Sequence, residues 1–490
     1  MALKPKNLII FFSDNHARHV MGCAGHSLVK TPNLDSLAAS GVLFEAAYTS
    51  SPLCCPARAA LATGRFPHQT RYWDNALAYD GRVPSWMHRL RDQGHKVAAI
   101  GKLHYRGGDD YGFSEEILPM HLHEGKGATL TLLRGYDAEP KRTNAAFYDL
   151  YAKRSGEGET TYQAYDGQIT RAAQEWLRQY ADESTPWVLF VSWVSPHPPF
   201  TVSRRLIEQY PVEDMPLPPG WQGDGWASHP AYRHLRHLEC LPDQFDPDVL
   251  RQIAAGYFGL ISHLDEQLGQ VLNTVDALGL GDNTRMLYTA DHGELFGAHG
   301  LLGKRVLYEA SAGVPLILTG PDVPRGEQRT APVAHVDLFP TVLEAVGASP
   351  SSEDTDLPGI SLWGPAQGRE NVNRPVFAEY HAHGSPAGMF MMRRDPYKLI
   401  HHVGLQPELF DVVQDPNELH DLATHEAFAP ILTDLYRDLM IECDPAAADS
   451  QAKTDQRRRV EELGGRDVVS SAERILYSPP PGVPLERSSS

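Results

Sequence analysis

Short apolar runs alternate along this chain with segments that repeat apolar residues at helical spacing. The apolar runs predict strands over 7–12, 96–100, 187–194, 285–289 and 314–318. One helix is predicted to start at Pro32, with Thr31 as N-cap and Gly41 at its end, and another over 84–93. This alternation is typical of βαβ units. It predicts an α/β fold with a central, mostly parallel sheet flanked by helices.

Two long segments, 115–165 and 200–245, interrupt this periodicity and are rich in Pro, Gly, His and Trp. Insertions of that length are usually lids or binding loops. A Pro-, Gly- and Asp-rich stretch at about 345–374 then separates the main body from a smaller unit. We therefore predict a main domain over 1–370, a C-terminal subdomain over 371–445 and a tail over 446–490.

The C-terminal subdomain is predicted to be a small α+β unit with an antiparallel sheet. Its strands are expected at 375–380, 389–393 and 397–401, and a helix at about 425–442. The polar tail that follows has two interpretations: a disordered segment, or an arm that docks on a neighbouring subunit in an oligomer.

The charge balance of the chain excludes several classes of partner. The 490 residues include 62 acidic and 44 basic side chains, which gives a net charge of −18. Nucleic acids and anionic membrane surfaces both require a clustered positive field, so neither is an expected partner. Five cysteines make no disulfide framework. The N-terminal apolar run at 8–12 is shorter than the ~7 residues of a secretory core, which favours a cytoplasmic protein.

Polar side chains with catalytic or ligand chemistry follow four of the predicted strands. Any one of them could be a turn or cap residue, but four strand ends with the same chemistry indicate a shared site. Ligands bind beyond the carboxyl ends of parallel strands. The residues concerned are Asp14, Lys102, His104, His197, Asp291 and His292.

Three of these residues form a donor set that suits a divalent metal. Asp14 and Asp291 supply hard carboxylate oxygens, and His292 supplies an imidazole. Ca²⁺ and Mn²⁺ both fit, and the imidazole slightly favours Mn²⁺. Asn15 is a further possible oxygen ligand, although a turn-forming Asn explains it equally well.

The segment 51–64 predicts a loop that enters a helix, with Cys54 at the helix N-terminus and Gly64 at its end. Unpaired N–H groups at that position favour negative charge, either a thiolate or a bound tetrahedral anion. Arg58 lies one turn later on the same face and can reach the same anion. A buried structural cysteine is the alternative, and the Pro and Arg spacing makes it less favoured.

These segments resemble those of the sulfatase family. The run LCCPAR at 53–58 matches the sulfatase signature Cys-x-Pro-x-Arg, and GKLH at 101–104 matches a second sulfatase motif. Asp14, SPH at 195–197, DHG at 291–293 and Lys304 follow in the family's order. The resemblance implies an alkaline-phosphatase-like core, with the catalytic domain over 1–370 and a smaller C-terminal domain.

The resemblance also implies roles for individual residues. Cys54 would be converted to formylglycine by a maturation system of the host. Its hydrate would be held on one metal ion, as a ligand together with Asp14, Asp291 and His292, and would attack sulfur. Arg58 would orient the hydrate. The sulfate oxygens would be held, or the hydrate tuned, by Lys102, His104 and Asn75. The leaving oxygen would be protonated or stabilised by His197 and Lys304.

Two departures from the common family pattern narrow the comparison. Position 15 is Asn where many members have a second Asp, and position 292 is His where many have Asn. This combination resembles choline sulfatases and phosphonate monoester hydrolases, and 101–118 looks nearer to the former. Such relatives often form dimers of dimers through C-terminal arms, so we expect a homodimer or homotetramer.

Three functions are compatible with these observations. The first is hydrolysis of a small alkyl or aryl sulfate ester. The second is a phosphonate monoester or phosphodiester hydrolase that uses the same groups, or one enzyme acting on both classes. The third, a metal-binding protein without activity, predicts loss of a catalytic residue, yet Cys54, Arg58, Asp291 and Lys304 are all present.

Overall fold

The computed structural model describes residues 4–134, 145–222, 229–369, 374–471 and 478–484. The strands are β1 Asn7–Ser13, β2 Gly41–Phe44, β3 Ala47–Tyr48, β4 Val97–Lys102, β5 Glu115–Met120, β6 Gly156–Glu157, β7 Val188–Ser192, β8 Thr201–Val202, β9 Thr284–Ala290, β10 Leu316–Thr319, β11 Glu327–Arg329, β12 Val333–Ala334, β13 Val376–Tyr380, β14 Met389–Arg394, β15 Tyr397–His402 and β16 Glu408–Asp411.

The helices are α1 Pro32–Ala39, α2 Cys54–Thr63, α3 Pro67–Thr70, α4 Trp86–Asp92, α5 Ala145–Ala152, α6 Thr161–Tyr180, α7 Arg204–Ile207, α8 Pro230–Leu238, α9 Pro247–Ala277, α10 Glu309–Ala312, α11 Leu338–Val346, α12 Trp363–Ala366, α13 Ala429–Glu442, α14 Pro445–Glu462 and α15 Arg466–Ser471. None of these helices is both long and apolar enough to span a membrane.

The main sheet has the strand order β11-β2-β10-β9-β1-β7-β4-β5. Within it β10 alone runs antiparallel to its neighbours β9 and β2, whereas the other pairs are parallel. This confirms the predicted α/β fold with a mostly parallel sheet. The four strands with polar ends, β9, β1, β7 and β4, are consecutive in the sheet. Their carboxyl ends therefore lie side by side at one edge.

The central strands of the sheet, β1, β4 and β7, are buried on both faces. Along β1, Leu8, Ile10 and Phe12 pack in the core that also contains residues of α2, α4 and α11. Ile9 and Phe11 point to the opposite core, which contains residues of α1, α6 and α9. Successive side chains of a strand point to opposite faces, so a doubly covered strand must be apolar at every position.

The C-terminal unit is an antiparallel sheet in the order β13-β14-β15-β16, packed against α13. This confirms the predicted C-terminal α+β unit, to which the structure adds β16. The predicted domain boundary at 370/371 lies outside the described residues, as do parts of the tail at 472–477 and 485–490.

Several predicted elements differ from the structure. Gly41 does not end the first helix, which ends at Ala39, but begins β2. A Cβ at Gly41 would lie 2.2 Å from the Leu318 carbonyl oxygen, so the close approach of β10 explains this glycine. Regular elements lie in both segments as well as loops: β5, α5, β6 and the start of α6 in 115–165, and β8, α7 and α8 in 200–245.

The tail is not disordered over Pro445–Glu462, as one interpretation held, because these residues form α14. Asp444 caps the helix by accepting hydrogen bonds from the backbone N–H groups of Ala446 and Ala447. The helix packs on its own chain: Asp455 pairs with Arg71. The role of 446–490 as an oligomerisation arm stays a prediction.

Candidate active site

The adjacent ends of β1 and β9 bring two carboxylates and an imidazole together with the start of α2. One donor atom each from Asp14, Cys54, Asp291 and His292 lies within 4.8 Å of the others, and all four residues are buried. The Cys54 Sγ is 3.2 Å from His292 Nε2. The structure thus assembles the predicted metal-binding set around the predicted nucleophile, from segments up to 278 positions apart.

Cys54 is the first residue of α2, which follows Leu53 in extended conformation and is capped at its C-terminus by Gly64, with a φ of 66°. The helix start is held by Asn75, whose Oδ1 accepts a hydrogen bond from the Cys55 backbone N–H at 3.0 Å. The neighbouring Cys55 thiol instead lies 3.6 Å from the His104 carbonyl oxygen. The two adjacent cysteines therefore have different environments, and Cys54 is the one in the predicted metal-binding set.

Arg58 lies one turn after Cys54 and bridges the two carboxylates. Its Nη2 is 2.9 Å from Asp14 Oδ2, and its Nε is 3.0 Å from Asp291 Oδ2. Its Nη1 donates to the Lys102 carbonyl oxygen at 2.7 Å. The guanidinium thus fixes the two carboxylates relative to each other, a contact that helical spacing alone did not predict.

The cations around the site control the ionisation of Asp14. Burial opposes ionisation of this carboxyl, but the positive charges of Lys102 and Arg58 hold its pKa well below the usual range. The Lys102 Nζ lies 2.8 Å from Asp14 Oδ2. The second oxygen of this carboxylate, Oδ1, is buried with no hydrogen-bond partner among the described residues.

The same charges act on the Cys54 thiol. Burial and the Asp14 carboxylate each raise the pKa of this thiol. The charges of Lys304 and Lys102 and a hydrogen bond with His104 outweigh both and lower that pKa to about 7. The surroundings of position 54 therefore stabilise a negatively charged side chain.

Asn15 connects this cluster to Lys304. Its φ of 72° lies in the left-handed region, which Asn tolerates better than most residues. The Lys304 Nζ donates to Asn15 Oδ1 at 3.2 Å, and Asn15 Nδ2 donates to Glu294 Oε2 at 2.6 Å. Glu294, which the sequence analysis missed, is a buried carboxylate two residues after His292.

A cavity of about 170 Å³ opens at Cys54, and every remaining predicted site residue lines it. His197 donates through Nδ1 to the Pro198 carbonyl oxygen at 2.7 Å, so the Nε2 of the neutral ring carries a lone pair. Phe147 and Arg305 also line the cavity, although no motif in the sequence marks them. The predicted residues around it are Cys54, Asn75, Lys102, His104, His197 and Lys304.

Comparisons with known proteins agree with this arrangement. The sulfatase family profile matches residues 6–348, and a profile described as N-sulphoglucosamine sulphohydrolase, C-terminal, matches 297–443. A choline-sulfatase of Rhizobium meliloti (strain 1021) is 32% identical over 428 residues, which cover 85% of this chain and 82% of that protein. Arylsulfatase K of Homo sapiens is 28% identical over 452 residues, with coverages of 86% and 80%.

A solved structure has the same fold over most of its length. The phosphonate monoester hydrolase of Agrobacterium radiobacter superposes with a TM-score of 0.71 at 26% identity, covering 91% of this chain and 96% of that one. The chain therefore belongs to the sulfatase family, within the alkaline phosphatase superfamily, and is a sulfuric ester hydrolase.

Proposed function

We propose that this enzyme hydrolyses sulfate esters of small alkyl or aryl alcohols, with formylglycine at position 54 and one divalent metal, Ca²⁺ or Mn²⁺. The observation that carries the proposal is the position of Cys54, in one buried cluster with Asp14, Asp291 and His292 and at a cavity lined by cations. A sulfate ester has a dispersed negative charge and a poor leaving group, so a metal and fixed cations are the expected means of catalysis.

The residues present fit a divalent metal. Two carboxylates and an imidazole are ligands that Ca²⁺ or Mn²⁺ can accept, and Asp14 Oδ1 is buried without another partner in the described part of the chain. His292 donates through Nδ1 to the Gly293 carbonyl oxygen at 3.1 Å, which leaves Nε2 for an ion. Asn15 Oδ1 is a further candidate ligand. A bound ion would supply positive charge that favours ionisation at position 54 and neutralises sulfate oxygens.

The start of α2 is suited to the modified side chain. Formylglycine there would supply a hydrated aldehyde, one hydroxyl attacking sulfur and the other later expelling sulfate. Arg58 keeps Asp14 and Asp291 in place beneath it through the two ion pairs described above. Asn75 uses its oxygen on the Cys55 backbone, so its NH₂ group is left to donate to a sulfate oxygen.

The cavity cations would hold sulfate and stabilise the leaving oxygen. Lys102 and His104 lie beside Cys54 and would donate to sulfate oxygens. Burial lowers the pKa of Lys304, but the negative charges around it, Cys54 and Asp14 first among them, raise it above the usual range. Lys304 therefore keeps its proton and would donate a hydrogen bond to the leaving oxygen.

His197 has a different role from Lys304 because its ring is neutral. Burial and the charges of Lys102 and Lys304 hold its pKa well below the usual value. Its Nδ1 proton is used on Pro198, so Nε2 would take the proton released by the attacking hydroxyl at position 54 and deliver it to the leaving oxygen.

A second reaction is compatible with the same groups. A phosphonate monoester carries a single negative charge, as a sulfate ester does, and the phosphonate monoester hydrolase of Agrobacterium radiobacter has a similar structure. A comparison of kcat/KM for p-nitrophenyl sulfate and p-nitrophenyl phenylphosphonate assigns the main activity. A higher value for the phosphonate would make sulfate hydrolysis the side reaction.

We also propose that a formylglycine-generating maturation system of the host acts on Cys54, and that the enzyme assembles as a homodimer or homotetramer. The family resemblance supports both. Enzyme produced with and without a maturation enzyme, and the molar mass in solution from light scattering, test these two statements.

Substitution of the two adjacent cysteines tests the nucleophile. We expect Cys54→Ala to lower kcat for p-nitrophenyl sulfate by about 10³-fold or more, because removal of a nucleophile leaves only binding and electrostatic contributions. Cys55→Ala is the matched control, since its thiol faces the His104 carbonyl instead, and it should stay within about threefold of wild type. Full activity in Cys54→Ala would reject the assignment.

A further inference from the structure

The alcohol of the substrate must lie against the part of the cavity that sulfate does not fill. Sulfate is placed beside Cys54, Lys102 and His104 in the proposed function, on which this inference rests. The remaining lining is mostly apolar and includes Leu130, Phe147 and Leu150. Because these residues carry no catalytic role, their chemistry selects the alcohol.

The aromatic ring of this lining already has a cation against it. The Arg305 guanidinium carbon lies 4.3 Å from the centroid of the Phe147 ring. Arg305 is buried, and its Nη1 pairs with Glu239 Oε1 at 2.5 Å. His383, which also lines the cavity, contacts the same oxygen at 3.0 Å. This ion pair fixes the guanidinium beside Phe147.

The charged side chains that line the cavity share one sign. The charged side chains that line it in the described part of the chain are all cationic: Lys102, Lys126, Lys304 and Arg305. A quaternary ammonium group is bound by the open faces of aromatic rings, usually with a carboxylate nearby. Here one face of Phe147 is covered by the Arg305 guanidinium, and the nearby Glu239 carboxylate is already paired with that guanidinium, so a cationic alcohol would meet repulsion where it needs attraction.

We propose that Arg305 is a specificity-determining residue that excludes cationic alcohols and limits this enzyme to sulfate esters of uncharged or anionic alcohols. The choline-sulfatase of Rhizobium meliloti is named for a quaternary ammonium ester. The position of Arg305 assigns a different substrate class to this chain. Arg305 directly follows Lys304, so one short segment both contacts the leaving oxygen and selects the alcohol attached to it.

Two isosteric pairs of substrates test this inference, because the members of each pair have nearly the same shape and differ in charge. The cationic member has the better leaving group, so a preference for the uncharged member would run against intrinsic reactivity. The alkyl pair is choline sulfate and 3,3-dimethylbutyl sulfate. The aryl pair is 3-(trimethylammonio)phenyl sulfate and 3-tert-butylphenyl sulfate. We expect the wild-type enzyme to show a kcat/KM at least tenfold higher for the uncharged member of each pair that it hydrolyses. The ratio is measured on one enzyme sample, so it does not depend on the fraction of folded protein.

Two variants test the role of Arg305 itself. Arg305→Met removes the charge and keeps an extended side chain, so the ratio of uncharged to cationic substrate should fall at least fivefold. Arg305→Lys is the matched control, and it should keep the ratio near the wild-type value because the charge remains. An unchanged ratio in Arg305→Met would overturn the assignment to this residue.

The outcomes separate this inference from the proposed function. Equal or faster hydrolysis of the cationic esters by wild-type enzyme would overturn the inference and leave sulfate hydrolysis intact. Failure to hydrolyse any of these esters, or p-nitrophenyl sulfate, in enzyme shown to carry formylglycine would reject the proposed function and the inference with it.

Discussion

At the scale of single residues, one buried carboxylate organises the loop that carries Lys304. Glu294 Oε1 accepts hydrogen bonds from the backbone N–H groups of Phe296 and Gly303, at 2.9 and 2.6 Å. Its Oε2 accepts from Asn15 Nδ2 at 2.6 Å and from the Tyr151 hydroxyl at 3.1 Å. Because Asn15 then presents its oxygen to Lys304, Glu294 acts as a positioning residue for the cation.

We predict that Glu294→Gln lowers kcat/KM for p-nitrophenyl sulfate by about tenfold, the equivalent of one lost hydrogen bond of ~1.4 kcal/mol. The new amide would place an N–H donor against Asn15 Nδ2 and turn the Asn15 oxygen away from Lys304. Tyr151→Phe removes a different donor to the same carboxylate and should stay within about threefold. Steady-state kinetics on both variants makes the comparison, and equal effects would contradict this role of Glu294.

The residues that could be predicted from the sequence were those with both distinctive chemistry and a position at a strand end. Asp14, Lys102, His197 and Asp291 could be found in this way, because parallel strands bring their ends together. Arg305 could not be, since its neighbours Phe147 and Glu239 are remote in sequence and lie in segments without clear periodicity.

At the scale of elements, the junction between α3 and β13 contains an ion pair between a partly buried imidazole and a buried carboxylate. His68 Nδ1 lies 2.9 Å from Glu379 Oε1. Burial lowers the pKa of His68, but the Glu379 carboxylate and a hydrogen bond with Cys443 raise it to about 10. The imidazole is therefore charged in the folded protein at neutral pH, and it ties the C-terminal sheet to the main domain.

This junction should make stability depend on pH. The unfolded chain releases the His68 proton near its ordinary pKa of about 6.5, whereas the folded protein keeps it up to about pH 10. The stabilisation is thus complete below about pH 6.5 and is lost as the pH rises through about 10. We predict that His68→Gln lowers the free energy of unfolding by about 2 kcal/mol near pH 6 and by much less near pH 10.

Urea unfolding at several pH values measures this difference, with His420→Gln as control. His420 pairs with Asp415, but its side chain is 80% exposed, so its loss should change the free energy of unfolding by less than about 0.5 kcal/mol. A constant effect of His68→Gln across the pH range would show that the ion pair does not titrate as described.

Strands could be predicted from the sequence where an uninterrupted run of apolar residues marked them. Strands β1, β4, β7 and β9 are buried on both faces, so they appear as plain apolar runs. The long helix α9 was missed, although Asp246 and Pro247 form a recognisable start. Its buried residues belong to two separate cores, one formed with the main sheet and one formed with residues such as Leu150, Phe200 and Phe296. Because apolar residues therefore occur on more than one side of the helix, the sequence shows no single apolar face.

At the scale of the whole molecule, α14 joins the active-site side of the main domain to the C-terminal sheet. Gln456 Nε2 donates to Asp74 Oδ2 and to the His381 carbonyl oxygen, both at 2.8 Å. Asp449 pairs with the buried Arg134 at 2.7 Å. Because Asp74 precedes the cavity residue Asn75, the packing of α14 bears on the active site.

We predict that Asp449→Ala lowers the free energy of unfolding by about 3 kcal/mol, because it leaves the Arg134 guanidinium buried without its carboxylate. Lys453→Ala removes a half-exposed partner of the same carboxylate, at 2.7 Å, and should cost less than about 1 kcal/mol. Chemical unfolding of the two variants gives both values. Equal losses would show that α14 is not anchored through Arg134.

Mass spectrometry of the tryptic peptide 31–58 from active enzyme tests the central claim most directly, since this peptide contains both Cys54 and Cys55. After alkylation, we predict that Cys55 carries the alkyl group and that position 54 has the mass of formylglycine, in a fraction that scales with activity. Intact cysteine at position 54 in every copy of a fully active preparation would contradict the account.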